Sequence, residues 1–86
     1  MTPAVLVEFL GTALLISAVA FGTPLMSVAA LAIAISFGGS VSGGHFNPAV
    51  TVFQLFSGRV SQSKALMYVG AQLAAAFSVG VLHSIL

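Results

Sequence analysis

Charge is what this sequence has least of. Of 86 residues, only Glu8, Arg59 and Lys64 carry a full charge. A soluble domain is about one-quarter charged, so a chain this poor in charge has no aqueous surface to present and belongs in a membrane. Cysteine is absent, which excludes disulfides and thiolate metal sites. One carboxylate and two histidines cannot build a metal cluster or the carboxylate pair of a hydrolase. A net charge of +1 supplies no basic face for nucleic acid. Gly43, Gly44, His45 and Phe46 precede a short helix but lack the spacing of a phosphate loop. No enzyme, cofactor, metal or nucleic-acid partner is therefore expected.

What the chain has is apolar length: 59% of its residues are hydrophobic and the mean hydropathy is +1.21. A bilayer core of about 30 Å needs about 20 helical residues. Three segments answer to that, at residues 3–21, 25–41 and 65–85, the second only if it extends past Gly38 to Val41. Gly22-Thr23-Pro24 supplies the turn between the first two, because proline disfavours helix in the residue before it. The run "LISAVAFG" has the look of a signal-peptide core with small residues at Ala18 and Ala20. However, no Lys or Arg precedes it and Glu8 interrupts it, so it reads as a span. Gly39-x-x-x-Gly43 and Gly70-x-x-x-Ala74 are the expected points of close helix approach.

Residues 42–58 break this pattern. Asn47 is a good N-cap and Pro48 suits the first helical position. Gly58 suits the stop. The helix between has about ten residues and spans about 15 Å, half a membrane. Led in by an extended Gly-Gly-His segment, it reads as a re-entrant half-helix. Non-helical backbone at membrane depth survives only where protein buries it or where it lines a water-filled cavity. Three spans place the two ends of the chain on opposite sides, so a second unit following the first would run inverted. That is the inverted-repeat logic of transport proteins, with half-helices meeting at the midplane.

"SGGHFNPAVT" (residues 42–51) resembles the first signature loop of the aquaporin and glycerol-facilitator family. Glu8 and Thr12 resemble that family's E-x-x-x-T on its first helix, and "YVGAQLAAA" (residues 68–76) resembles its third-helix segment. The resemblance covers nearly the whole chain. It implies an all-α integral membrane protein with three transmembrane helices and one re-entrant half-helix. This is a half-aquaporin fold, here completed by an inverted second copy. Family members usually carry two such repeats, and the second signature, Asn-Pro-Ala-Arg, is absent from these 86 residues. The implied function is a passive channel for water and small neutral solutes such as glycerol, multi-pass in the cell or cytoplasmic membrane. The implied assembly is a homo-oligomer of inverted dimers, with eight chains in four pores as its extension.

Site residues follow from the same match. Asn47 is the central pore contact. Gly43, Gly44, His45 and Phe46 present backbone carbonyls to the pore, with the His45 side chain bracing the loop. Val50 stands where the second signature has its filter arginine. Glu8, Thr12 and Gln72 are buried structural braces, and Pro48 and Ala49 complete the turn into the half-helix. A charge at membrane depth costs about 3 kcal/mol, so Glu8 needs such a purpose. His83 is expected at the interface. Arg59 and Lys64 are expected among lipid headgroups, an ion site being the weaker reading. Three rivals stay open: a dual-topology proton-coupled exchanger built around Glu8, an accessory subunit that pairs with a complementary half or with a complete channel, and an inactive remnant, against which the intact loop and braces speak.

Overall fold

The computed structural model describes residues 1–86 as four helices: α1 (Pro3–Phe21), α2 (Pro24–Ser42), α3 (Pro48–Phe56) and α4 (Gln62–Ile85). Three of them, α1, α2 and α4, are long and apolar enough to cross a membrane. The long dimension of the molecule, 39 Å, covers a hydrocarbon core of about 30 Å with some headgroup on each side.

Each helix starts on a residue whose side chain satisfies an orphan N–H of the first turn. Thr2 Oγ1 accepts from Val5 N at 3.2 Å, Thr23 Oγ1 from Met26 N at 3.3 Å, and Ser61 Oγ from Lys64 N at 3.1 Å. Asn47 Oδ1 does the same for Ala49 N at 2.8 Å. The Ser61 cap is why α4 begins at Gln62, three residues before the start expected from hydropathy. The Thr23 cap likewise moves the start of α2 to Pro24. α2 continues through Gly38 and Gly39 to Ser42 and stops where Gly43 turns left-handed, at φ 93°. α3 ends with Gly58 at φ 74°, Gly58 N donating to Leu55 O and Arg59 N to Gln54 O. That paired closure is a Schellman motif, and the left-handed residue at its centre is why glycine stands there.

α1 is the middle of the assembly. It packs on α2 along one side and on α4 along the other, while α3 rests on α4 alone. Small residues allow the α1–α2 approach, but not the ones expected. Within this chain Gly70 has open space where a Cβ would stand, and a Cβ on Gly39 would meet only Ile35 of its own helix, at 3.6 Å. The close approach of α1 to α2 is at Gly38, and Gly11 makes room for Phe46 of the loop that follows α2. A Cβ on Gly11 would come within 2.5 Å of Phe46 Cδ1, and one on Gly38 within 2.5 Å of Val7 Cγ1.

Only 17 of the 86 residues are buried, and large apolar side chains such as Phe37, Phe56 and Phe77 are three-quarters exposed or more. In water such a surface would drive aggregation. The apolar exterior must face lipid or another polypeptide. The interior is correspondingly unusual, because its largest fully buried side chains are Tyr68, Phe46, Gln72, Glu8 and Thr51. Three of those five are polar, and all five belong to one loop or pack against it.

Candidate functional site

Residues 43–47, between α2 and α3, are the only long non-helical stretch inside the bundle. Their backbone is bent by a run of left-handed residues: Gly43 at φ 93°, Gly44 at φ 68° and Phe46 at φ 54°. Glycine adopts this region freely, but Phe46 does not. Its strain is offset by packing. The ring is 1% exposed and fills the space that Gly11 and Gly38 leave between α1 and α2. Phe46 thus serves the loop as an apolar anchor, a role its position in the signature does not announce.

Glu8 holds the other side. Its carboxylate is completely buried and accepts four hydrogen bonds. Oε2 accepts from Ser42 Oγ at 2.7 Å and from His45 N at 3.1 Å. Oε1 accepts from Phe46 N at 2.7 Å and from Gln72 Nε2 at 2.9 Å. A buried charge is tolerable when its acceptor sites are filled by donors in this way. Two consecutive N–H groups of the loop are therefore tied to α1, at a sequence separation of 37 and 38 residues.

α4 closes the third side. Gln72 Nε2 also donates to Thr51 Oγ1 at 2.9 Å, and Thr51 Oγ1 lies 2.9 Å from His45 Nδ1. Because Gln72 already donates to Thr51 Oγ1, the Thr51 hydroxyl proton is free for His45 Nδ1. This count favours the ring proton on Nε2. Tyr68, one helical turn before Gln72, donates to Ser42 O at 2.6 Å and meets the His45 ring edge-on at 5.0 Å. Gly44 N donates to Ser42 Oγ at 3.1 Å.

The N–H groups of residues 43–46 are thus satisfied while their carbonyls are not. Ser42 O is taken by Tyr68 and Asn47 O by Thr51 N at 3.1 Å. Between them, the carbonyls of Gly43, Gly44, His45 and Phe46 accept no hydrogen bond from the chain. At the start of α3, Asn47 is exposed and its Oδ1 is used as a cap, which leaves its Nδ2 without a partner in the chain. Val50 N likewise has no partner there, and the Val50 side chain is 37% exposed on the first turn of α3. Ala49 is exposed and Pro48 half-buried.

Of the residues singled out in the sequence, the structure brings Glu8, Gln72 and His45 into one network. Thr12 is buried on the same helix face as Glu8, but its hydroxyl makes no hydrogen bond, and Gln72 Oε1 is also without a partner. Ser42, Thr51 and Tyr68 are equal members of the network that sequence reasoning missed. Ser42 and Thr51 are the first and last residues of the ten-residue signature, and Tyr68 lies four residues before Gln72, so a helical-face argument reaches it. His83 stacks edge-on with Phe21 at 5.2 Å, near the ends of α4 and α1. No group of side chains in the structure is arranged to hold a metal.

The Major intrinsic protein family model matches residues 1–86. Glycerol uptake facilitator protein-like 6 of Lactiplantibacillus plantarum is 40% identical over 79% of this chain and 36% of its own length. Human Aquaporin-5 is 36% identical over 95% of this chain and 36% of its own. Aquaporin-2 of Dasypus novemcinctus is 42% identical over 95% of this chain and 88% of that sequence. The chain thus spans about a third of the length of the first two. No solved structure matches it. With the half-helix, the buried carboxylate and a family match along its full extent, the chain belongs to the major intrinsic protein family of multi-pass integral membrane proteins.

Proposed function

We propose that this chain forms half of a passive channel for water and small neutral solutes such as glycerol, with the pore completed by a second, inverted copy. One observation carries the reading: four consecutive carbonyls, from Gly43 to Phe46, that accept nothing from the chain. Unpaired carbonyls within a membrane cost too much free energy unless water reaches them. A row of acceptors followed by the donors Asn47 Nδ2 and Val50 N suits a file of water that exchanges one hydrogen bond for the next. The positive end of the α3 dipole lies at the same place and disfavours cations and protons.

Completion by an inverted partner follows from what this half lacks. α3 touches α4 alone, and its exposed Val52, Phe53 and Phe56 need cover. Phe21 at the end of α1 meets His83 near the end of α4, so α1 begins and α4 finishes at opposite ends of the bundle, and a two-fold axis in the membrane plane would bring a second α3 towards the first from the other leaflet. Tetramers of such pores would contain eight chains. The proton-coupled exchanger reading is weakened by Glu8, whose oxygens are buried and fully engaged.

Pairing with a different, complementary half is favoured by one feature. Arg59 and Lys64 lie at the same end of the bundle, and no Lys or Arg lies at the other. That bias sets one orientation in the membrane. The test is stopped-flow osmotic swelling of liposomes that contain only this chain, run beside cross-linking of the reconstituted protein. Water flux with antiparallel cross-linked dimers is the expected result. A conducting monomer, or a strictly parallel oligomer, would end the two-copy reading.

A further inference from the structure

The two cations of the chain are both exposed. They line one pocket, of about 370 Å³, at the end of the bundle where α2 stops and α4 starts. Its walls are the small residues Gly39 to Gly43 on one side and Gln54, Arg59 and Lys64 on the other, with His45 at the loop; Val41 and Val60 are its only apolar members. Arg59 Nη1 lies 3.4 Å from Gln54 Oε1, and Lys64 Nζ stands 5.5 Å from the centre of the Tyr68 ring.

Neither cation has a counter-ion. Glu8 is the only acidic side chain in the sequence, it is fully buried, and both its oxygens are occupied. Lys64 sits in the first turn of α4, where Ser61 caps only the Lys64 N–H, so the dipole of that 24-residue helix adds positive potential at the pocket. A fork of guanidinium donors and an ammonium lining a polar cavity with no carboxylate is a recognition set for a phosphate group. The volume admits a phosphate and part of what is attached to it. We propose that this pocket binds a phosphate group, carried either by an anionic lipid headgroup or by a soluble phosphate, at the foot of the re-entrant loop. The inference concerns binding alone and does not depend on the channel reading.

Two probes distinguish the sources. Inorganic phosphate is titrated onto the protein in neutral detergent and followed by ³¹P line broadening. Phosphatidic acid is supplied in phosphatidylcholine nanodiscs and counted by native mass spectrometry. Saturable binding of at least one probe is expected, weakened about tenfold by Arg59→Gln or Lys64→Gln, the factor one lost charge-assisted contact carries. Binding should also weaken as salt screens the two cations. Displacement of the lipid by free phosphate would make the phosphate itself the determinant, and retention of lipid that free phosphate cannot displace would make the headgroup the ligand; either result supports the site. The exchanged pair Arg59→Lys with Lys64→Arg keeps both charges and should bind within about threefold of the original. No saturable binding of either probe, or equal binding by the doubly neutralised variant, overturns the proposal. Loss of binding in the exchanged pair as complete as in the glutamine variants would assign the effect to the fold, and overturns it too.

Discussion

Replacing Glu8 by alanine removes the acceptor of four donors, and the structure says which of them are left without recourse. Ser42 Oγ has a fallback in Gly38 O at 3.4 Å, and Gln72 Nε2 keeps Thr51 Oγ1 at 2.9 Å. The N–H groups of His45 and Phe46 have none. An orphaned buried donor costs about 1–3 kcal/mol, so the two together cost about 2–6 kcal/mol, before any penalty for the space the side chain leaves. Glu8→Gln should be milder. Its amide oxygen can serve the Phe46 and Gln72 side while the Ser42 hydroxyl turns round to accept from the amide nitrogen. Only His45 N is then orphaned, at about 1–3 kcal/mol. The assay is unfolding of purified protein in mixed micelles with rising dodecyl sulfate, followed by circular dichroism, with assembly read by size exclusion. The expected order of stability is wild type, then Glu8→Gln, then Glu8→Ala. If Glu8→Ala unfolds at the wild-type midpoint and loses only a proton-dependent flux, the carboxylate is a transport group and the bracing argument fails.

Other outcomes follow from single contacts. Gly11→Ala drives a methyl group into the Phe46 ring and should cost about 1–3 kcal/mol through overpacking; faster proteolysis within residues 43–47 is the readout, and Gly70→Ala, which meets nothing within 4 Å, is the control. Tyr68→Phe loses the 2.6 Å bond to Ser42 O and should lower stability by about 1 kcal/mol, measurable in the same micelle titration. Val50→Arg places a guanidinium on the exposed first turn of α3 and should reduce glycerol influx more than water influx in paired stopped-flow traces; wild-type protein that passes water and wholly excludes glycerol would show that another residue supplies the filter. Because the chain has no cysteine, Ser84→Cys is a unique label near the end of α4. Its accessibility from both faces of the membrane supports two inverted copies, and accessibility from one face shifts the case to a complementary partner.

What could be read without the structure was whatever stood out chemically from its surroundings. Glu8 is a charge in an apolar helix, and Asn47-Pro48 is a helix start where none was needed. The three long helices announced themselves by hydropathy. The remaining members of the network were not conspicuous. Ser42, Thr51 and Tyr68 are ordinary residues for a membrane helix, and their roles arise from partners 26, 34 or 21 positions away. Phe46 was legible as part of a signature but not as a wedge, because the glycines that receive it are on two other segments. The starts of α2 and α4 were displaced from the hydropathy estimate because a hydroxyl cap, not apolarity, decides where a helix begins. Arg59 and Lys64 were assigned to the headgroup layer on charge alone, and only the path of the turn after α3 aims them at a common pocket.

The arrangement of the loop's anchors constrains how the protein can be made. The Glu8–Gln72 bond closes a separation of 64 residues, and Tyr68 reaches back 26 to Ser42. The re-entrant segment emerges from the ribosome after α1 and α2 but before either α4 anchor does. While it waits, Glu8 can hold its N–H groups, yet nothing covers the side of α3 that later rests on α4. The segment must therefore stay in the interface, or in the insertion machinery, until Tyr68 and Gln72 have emerged. A chain stalled with residues 43–56 emerged but α4 still inside the ribosome should leave residues 43–56 open to protease, and one stalled with all of α4 emerged should leave them protected.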